Sequence, residues 1–198
     1  MTDVLVPGGR DVRGSLEPAD GADAIVVACP PHPRQGGSRR DSRLLALEAA
    51  LQERSIGALR FDYGAWDEGN GEREDVRNTV RWASERHDRV GLFGYSFGAS
   101  LALLAAGDVD GIAAVSALAP TARIGDDLDA VAALGALEVP VQIVYGERDT
   151  TAEWEPVVEA ADVRELDSRI EAFPADHFFV GNEVDVAERV GSFFEETL

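Results

Sequence analysis

A serine flanked by glycines stands in the segment of this chain that points most directly to chemistry. Residues 94–98 read Gly-Tyr-Ser-Phe-Gly, between the apolar run Val90–Phe93 and the small and aliphatic residues Ala99–Ala106. The first run predicts a buried strand and the second a packed helix. Gly-x-Ser-x-Gly between a strand and a helix is a nucleophile elbow, whose serine hydroxyl projects above the sheet. A Cβ at either glycine would collide with the neighbouring strand or helix. We therefore predict that Ser96 is a nucleophile.

The general base that a nucleophilic serine needs can be sought among three histidines. A serine hydroxyl is a weak nucleophile until a base takes its proton, and an acid must hold the tautomer of that base. In elbow-type hydrolases the order along the chain is serine, acid, histidine. Of His32, His87 and His177, only His177 lies downstream of Ser96, in a loop after the last predicted strand. We predict that His177 is the base.

The acid is expected in the loop after the predicted strand Val139–Tyr145. Two carboxylates stand there, Glu147 and Asp149. We predict Asp149, because Glu147 can lie in the turn with its side chain in solvent. Asp176 precedes His177 directly, so its side chain would point away from the imidazole, and we interpret it as a surface or turn residue.

An oxyanion hole needs two backbone N–H groups aimed at the developing negative charge. One is predicted at Phe97, the residue after the nucleophile. The other is expected from the loop at residues 30–37, which reads Pro-Pro-His-Pro-Arg-Gln-Gly-Gly. We predict the Arg34 N–H as this second donor, with Gln35 as the next candidate, and we interpret His32 as a residue that organises the loop.

Strands that alternate with helices make up the rest of the sequence. This order predicts an α/β fold in one domain, 1–198, with a mostly parallel, doubly wound sheet flanked by helices and a short antiparallel start. The other predicted strands are Val4–Val6, Val12–Leu16, Ala24–Cys29, Ile56–Tyr63, Gly111–Leu118 and Arg169–Phe173. The predicted helices are Ser42–Arg54, 76–86, 126–137, Glu155–Ala161 and Glu183–Glu196, and residues 64–75 are predicted as an acidic, glycine-rich loop.

Together with the nucleophile elbow at 94–98, the alternation of strands and helices predicts the α/β-hydrolase fold. Lid domains of that fold are usually inserted in the connection that here runs from Ala119 to Val139. About twenty residues leave room for one helix. We therefore expect no lid domain and an open active site.

The charge balance is strongly acidic. Asp and Glu number 37 against 18 basic residues, for a net charge of −19, and every basic residue is arginine. Such acidity argues against nucleic acid or an anionic membrane surface as a partner, because both would be repelled. The composition resembles that of proteins from extreme halophiles, and the alternative is an acidic protein from a GC-rich genome.

The sequence also carries expectations about compartment and cofactors. No apolar stretch approaches the ~20 residues of a membrane span, and the N-terminus does not read as a secretory signal. The one cysteine, Cys29, allows no internal disulfide and is interpreted as a small buried hydrophobe. We expect a cytoplasmic protein without a cofactor. We also expect no metal, because the His, Cys and carboxylate residues lack metal-site spacing.

Several motifs together resemble the small prokaryotic α/β-hydrolases related to dienelactone hydrolase and to prolyl-oligopeptidase-like serine esterases. The resemblance spans nearly the whole chain and implies a metal-free serine hydrolase that acts on esters or related acyl compounds. It is carried by Pro31-His32-Pro33 with Gly36-Gly37, Arg60–Gly64, Gly69-Asn70-Gly71-Glu72 with Asp75, Gly94–Gly98, Gly146–Asp149 and Asp176–Phe179.

Two features depart from the family pattern. Dienelactone hydrolases proper use a cysteine nucleophile where this chain has Ser96, so their substrate is not carried over. In the loop 64–71, Ala65–Glu68 replaces a more usual glycine- and serine-rich stretch. Trp66 in that stretch could line an acyl pocket or pack against the sheet, and both readings are kept.

These observations predict a lidless carboxylesterase for short or medium acyl chains, with a small-molecule ester or acyl compound as its substrate. The same triad could serve an aminopeptidase-like or acyl-transfer reaction. From a different class, the alternative is a non-catalytic binding module that kept the fold. The sequence gives no basis for an oligomeric state.

Overall fold

One large sheet organises the molecule. The computed structural model describes residues 1–19, 21–164 and 167–198. The strands are β1 (Thr2–Val6), β2 (Val12–Glu17), β3 (Ala24–Cys29), β4 (Gly57–Asp62), β5 (Arg89–Tyr95), β6 (Ile112–Leu118), β7 (Arg123–Ile124), β8 (Leu128–Asp129), β9 (Val141–Gly146) and β10 (Ser168–Phe173), of which β7 and β8 form a separate hairpin. The other eight strands pair in the order β1-β2-β4-β3-β5-β6-β9-β10, where only the β1–β2 and β2–β4 pairs are antiparallel.

Helices cover both faces of the sheet. Helices α1 (Ser42–Glu53) and α6 (Glu183–Thr197) pack on one face, and α2 (Asn70–Ser84), α3 (Phe97–Ala106), α4 (Ala130–Ala136) and α5 (Glu155–Asp162) pack on the other. All six residues of β3 are buried, as expected for a parallel strand that is covered on both faces. None of the helices in the described ranges is long and apolar enough to cross a membrane.

The predicted α/β-hydrolase architecture is confirmed, but α2 begins earlier than expected. The sequence analysis placed a loop at 64–75 and a helix at 76–86, whereas the helix begins at Asn70. The cause is Glu72, whose carboxylate accepts a hydrogen bond from the Gly69 N–H (2.8 Å) and so caps the first turn. An acidic stretch that reads as a loop by composition is therefore a helix N-terminus.

The connection between β6 and β9 also differs in detail from its prediction. A helix was expected over 126–137, but residues 123–129 form the β7–β8 hairpin through Gly125 (φ 58°), and α4 begins only at Ala130. Residues 119–140, all of which the structure describes, thus hold one small hairpin and one short helix. This matches the prediction of a fold without a lid domain.

Candidate active site

The turn between β5 and α3 holds Ser96 in a strained backbone conformation. Its φ of 55° and ψ of −119° lie in a region that non-glycine residues rarely adopt, and its N–H is bonded to the Leu118 carbonyl of β6 (2.8 Å). A Cβ at Gly94 would overlap the backbone of Gly98 and Ala99. A Cβ at Gly98 would overlap the carbonyl oxygens at the end of β3. Both glycines are therefore required on steric grounds, as the sequence analysis predicted.

Three predicted side chains meet above this turn. Ser96 Oγ lies 2.9 Å from His177 Nε2, and His177 Nδ1 lies 2.7 Å from Asp149 Oδ2. An ionised carboxylate only accepts hydrogen bonds, so the proton of the neutral imidazole belongs on Nδ1 and Nε2 is free to accept the serine proton. The arrangement is a continuous hydrogen-bonded chain that ends at a half-exposed hydroxyl.

The acid is fixed by its own loop. The side chain of Asp149 has no exposed surface, and its second oxygen accepts hydrogen bonds from the N–H groups of Thr151 (2.8 Å) and Ala152 (3.1 Å). Glu147, the other carboxylate considered for this role, is exposed. Asp176 is also exposed and accepts a hydrogen bond from the Phe178 N–H (3.0 Å) instead of meeting the imidazole.

The loops that carry Asp149 and His177 are tied to each other and to the elbow. A Cβ at Gly146 would lie 2.6 Å from the Ala175 carbonyl oxygen, so glycine allows the two loops to touch. The hydroxyl of Tyr95, next to the nucleophile, donates to the His177 carbonyl (3.0 Å). Burial raises the pKa of Tyr95 to about 12, so this phenol remains a proton donor at neutral pH. These contacts fix the base relative to the serine.

The backbone N–H groups near Ser96 do not match both oxyanion predictions. Phe97 is the first residue of α3, so its N–H has no carbonyl partner within that helix. The Arg34 N–H, predicted as the second donor, instead donates to His32 Nδ1 (3.2 Å), and Arg34 does not line the cavity beside Ser96. The Gln35 N–H, the next candidate, donates to the His32 carbonyl (3.0 Å). The geometry therefore contradicts Arg34 in this role.

His32 is the residue of this loop that the sequence analysis passed over as a donor. No described residue accepts a hydrogen bond from its N–H, and His32 lines the cavity. The signal was present in the sequence: Pro30 and Pro31 stand between the end of β3 and His32, and a proline has no N–H to offer. The first free amide after β3 is thus that of His32.

The cavity at Ser96 has a volume of about 520 Å³ and is open to solvent. Tyr95, Phe97, Ile124 and Phe178 contribute apolar surface, and Phe178 on its rim is 53% exposed. Arg43 also lines the cavity, where it forms an ion pair with Asp41 and donates to the Phe178 carbonyl (3.0 Å). Arg123 lines the cavity as well and forms an ion pair with Asp129, so both arginines of the lining already have carboxylate partners.

The structure also shows the surroundings of Cys29, which was interpreted as a buried hydrophobe, and of Trp66, whose role the sequence left open. Cys29 is buried at the end of β3, and burial raises the pKa of its thiol, so its environment is that of an inert side chain. Trp66 does not line the cavity; its ring stacks on His32 at 4.6 Å. Within the described ranges, no group of three or more His, Cys, Asp or Glu side chains is placed to hold a metal ion.

Known proteins with similar structures share this architecture. An α/β serine hydrolase homologue from Coxiella burnetii is 25% identical and superimposes with a TM-score of 0.83 over 97% of this chain and 96% of its own. A serine hydrolase without lid from Xanthomonas campestris is 21% identical, with a TM-score of 0.81 over 98% and 94%. An esterase from Pyrococcus furiosus is 19% identical, with a TM-score of 0.83 over 99% and 90%.

Sequence comparison gives the family. Among curated proteins, none matches the sequence significantly. The model of the dienelactone hydrolase family matches residues 50–193, which is more than half of the chain and includes Ser96, Asp149 and His177. The chain therefore belongs to the dienelactone hydrolase family and is a hydrolase with the α/β-hydrolase fold.

Proposed function

We propose that this protein is a serine carboxylesterase in which Ser96 is the nucleophile, His177 the general base and Asp149 the acid that orients the base. The observation that carries the proposal is the pair of hydrogen bonds, 2.9 Å from Ser96 to His177 and 2.7 Å from His177 to Asp149, at the floor of an open cavity. This spacing is what proton transfer from a serine to an imidazole requires.

The first half of the reaction forms an acyl-enzyme. Ser96 Oγ attacks the ester carbonyl carbon while His177 Nε2 takes the hydroxyl proton, which gives a tetrahedral oxyanion. Collapse of this intermediate breaks the bond to the alcohol oxygen, and the alcohol leaves with the proton from Nε2. Asp149 stabilises the imidazolium that exists between these steps, because its carboxylate faces Nδ1.

The second half restores the serine. Water attacks the acyl carbon as Nε2 takes one of its protons, and the second tetrahedral intermediate expels Ser96 Oγ, which regains the proton. The carboxylic acid is released. We propose that the N–H groups of Phe97 and His32 hold the oxyanion in both halves, because both amides lack a partner in the described part of the chain and both residues line the cavity.

The dimensions of the cavity favour a small-molecule ester with a short or medium acyl chain. A volume of about 520 Å³ is within the range of small-molecule sites. The apolar part of its lining suits an alkyl or aryl group. The two arginines of the lining, Arg43 and Arg123, are both paired with carboxylates, so neither is free to select a charged acid. A panel of 4-nitrophenyl esters of increasing chain length measures this preference.

Substitution of the triad tests the proposal most directly. Ser96→Ala should lower kcat for 4-nitrophenyl acetate by about 10⁶-fold and abolish labelling by a fluorophosphonate, because loss of a triad nucleophile has an effect of that order. Asp149→Asn should lower kcat by about 10⁴-fold, since the imidazole would lose its correct tautomer.

Glu147→Gln is the matched control for the acid, because Glu147 lies in the same loop but is exposed, and its kcat should stay within about twofold of wild type. A thermal melt of each variant separates lost chemistry from lost folding. Residual activity within tenfold of wild type in Ser96→Ala would refute the nucleophile, and absence of fluorophosphonate labelling in the wild type would favour a binding module.

We further propose that the fold depends on salt. At a net charge of −19, self-repulsion destabilises the compact state in dilute buffer, where the Debye length at ~0.01 M is about 30 Å. At ~1 M it falls to about 3 Å, so the melting temperature and the initial rate should both rise towards molar KCl and then level off. A melting temperature that is flat or falls between dilute buffer and 2 M KCl would contradict this proposal and leave the hydrolase assignment intact.

A further inference from the structure

Three aromatic rings from distant parts of the sequence pack together beside the oxyanion donors, with His32 stacked on Trp66 and Phe97 tilted against both. The His32 ring lies 4.6 Å from the Trp66 ring at an interplanar angle of 29° and 4.8 Å from the Phe97 ring at 45°. Trp66 and Phe97 are themselves 5.8 Å apart. Phe97 carries one proposed oxyanion donor and His32 the other, so the stack joins the two residues whose N–H groups must converge.

The His32 side chain also shapes its own loop. Nδ1 accepts the Arg34 N–H (3.2 Å) and so caps the 3₁₀ turn that begins at Pro33. The His32 carbonyl accepts the N–H groups of Gln35 (3.0 Å) and Gly37 (3.1 Å). These bonds hold the peptide unit that follows His32. The preceding unit, which carries the His32 N–H, is hemmed in at its Pro31 carbonyl, because a Cβ at Gly37 would lie only 2.2 Å from that oxygen. The His32 N–H therefore has little freedom to turn.

Trp66 is held in place by a buried carboxylate. Glu72 has no exposed surface, and its two oxygens accept the N–H groups of Asp67 (2.9 Å) and Gly69 (2.8 Å). Both donors stand within three residues of Trp66. A carboxylate that accepts two backbone N–H groups makes strong, directional bonds, so the segment after the indole is fixed to the first turn of α2.

A second buried carboxylate fixes the segment before the indole. Asp75, also on α2 and fully buried, accepts the Gly64 N–H (2.9 Å) and the Arg10 guanidinium (2.7 Å). Arg10 also donates to the Ala65 carbonyl. The loop 64–69 is therefore clamped on both sides, and Trp66 presents a rigid surface to His32.

From these contacts we infer that the His32 imidazole is a positioning residue of the oxyanion hole, and that Trp66 is the support against which it is held. The inference rests on the proposed function, since it takes the N–H groups of His32 and Phe97 as the oxyanion donors. The cap on Arg34 sets the direction of the His32 N–H, and the stack on Trp66 and Phe97 sets its distance from the second donor.

Two substitutions at one position separate the cap from the stack. His32→Asn keeps a side-chain oxygen that can accept the Arg34 N–H but removes the ring. His32→Phe keeps a ring of similar size but removes the acceptor. Each should lower kcat for 4-nitrophenyl acetate by about 10- to 100-fold with KM nearly unchanged, because loss of a whole oxyanion donor costs 10²–10³-fold.

A thionoester substrate distinguishes a role in the oxyanion hole from a merely structural role, because general loosening of the site would not change the preference for oxygen over sulfur. Sulfur is larger than oxygen and a poorer hydrogen-bond acceptor, so 4-nitrophenyl thionoacetate gains little from an oxyanion hole. The ratio of kcat for the oxygen ester to kcat for the thionoester should fall at least tenfold in both His32 variants. It should also fall in Trp66→Leu, since the indole supports the imidazole.

Trp82→Leu is the matched control, because Trp82 is also half-buried but lies on α2 against Arg86, away from the cavity. It should keep the wild-type ratio. A fall in only one His32 variant identifies the cap or the stack as the contact that positions the donor, and supports the inference. A wild-type kcat and ratio in both His32 variants and in Trp66→Leu would overturn it.

Fluorophosphonate labelling of the same preparations distinguishes failure of the inference about His32 from failure of the proposed serine hydrolase function. If wild-type protein is labelled and the ratio is unchanged in the variants, the inference fails while the serine hydrolase stands. If wild-type protein is not labelled, the proposed function fails and the inference with it. If Trp66→Leu has a lowered melting temperature, Trp66→Phe takes its place. It keeps an aromatic ring against His32 and should restore most of the ratio of the two kcat values.

Discussion

The two loops that bring N–H groups to Ser96 lie side by side but are built differently. They leave β5 and β3, which pair in parallel with Gly94 opposite Cys29. The elbow at 94–98 is fixed by main-chain contact, since Gly94 faces the backbone of α3 and Gly98 faces the carbonyls at the end of β3. The loop at 30–37 has main-chain hydrogen bonds of its own, but it also depends on side-chain contacts, above all on those of the His32 ring.

The two loops therefore differ in how many parts of the sequence determine their geometry. The elbow geometry is encoded within five consecutive residues, so it depends little on the rest of the sequence. The geometry of the β3 loop depends on Trp66, which in turn depends on Glu72 and Asp75 of α2. A change far from the cavity can therefore alter the second oxyanion donor without touching the first.

The largest expected effect comes from adding a Cβ within the nucleophile elbow at 94–98. Gly98→Ala places a Cβ against the carbonyl oxygens of Cys29 and Pro30, which are backbone atoms and cannot move aside without displacing β3. Overpacking of this kind costs roughly 1–3 kcal/mol or more of unfolding free energy. We expect kcat to fall by at least ~10²-fold, because both oxyanion donors would shift, and the thermal melt and kcat measure the two effects.

Gly135→Ala is the control, since a Cβ at this helical glycine in α4 meets nothing within 4 Å. It should leave kcat unchanged and raise stability by about 0.5–1 kcal/mol, the difference in helix propensity between alanine and glycine. An elbow variant with wild-type kcat would mean that main-chain contact is not what fixes this loop.

The same contrast explains how much of the site could be predicted from sequence. The structure brings the predicted Ser96, Asp149 and His177 together. They could be selected from sequence because the glycine motif is a local signal and the order of serine, acid and histidine can be read along the chain. Arg34 was misplaced because the choice among loop amides depends on which of them is already bonded. That bond comes from the imidazole of His32.

The start of α2 was missed for a related reason. A composition rich in acids and glycine is typical of a solvated loop, yet Glu72 and Asp75 are buried. Glu72 accepts two backbone N–H groups, and Asp75 accepts one together with the Arg10 guanidinium. The sequence does contain the spacing of a capping glutamate three residues after Gly69. What it does not contain is the tertiary fact that these carboxylates face inwards, towards the segment that carries Trp66.

An intermediate effect is expected from the carboxylate that holds Trp66. Glu72→Gln keeps one acceptor oxygen but presents an amide NH₂ to the second backbone donor, so either the Asp67 or the Gly69 N–H loses its partner. A buried donor without an acceptor costs about 1–3 kcal/mol, which urea unfolding measures. The kcat for 4-nitrophenyl acetate should fall severalfold as the indole loosens.

Glu74→Gln provides the comparison on the same helix. Glu74 is more exposed and pairs with Arg77 (2.9 Å) and Arg81 (3.1 Å) at the surface, where a pair contributes roughly 0–1 kcal/mol. Its loss should leave kcat unchanged. Equal effects of the two substitutions on kcat would show that the clamp on the 64–69 loop does not reach the oxyanion hole.

The smallest expected effect is a pH dependence of stability that belongs to the β3 loop alone. Burial and the nearby Arg34 guanidinium lower the pKa of His32 below its ordinary value of 6.5, and the Glu72 carboxylate opposes them. Because the unfolded chain binds this proton more readily than the folded one, the contribution of neutral His32 to stability is complete above pH 6.5. It is lost as the pH falls from 6.5 towards the lowered pKa. Protonation also places a hydrogen on Nδ1, which can then no longer accept the Arg34 N–H.

Unfolding free energies of wild type and His32→Asn between pH 8 and pH 5 measure the contribution of neutral His32 to stability, since the carboxylates that titrate lower are common to both proteins. The advantage of wild type over the variant should shrink steadily across this range, whereas an advantage that stays constant or grows would mean that the imidazole is not held neutral by its surroundings.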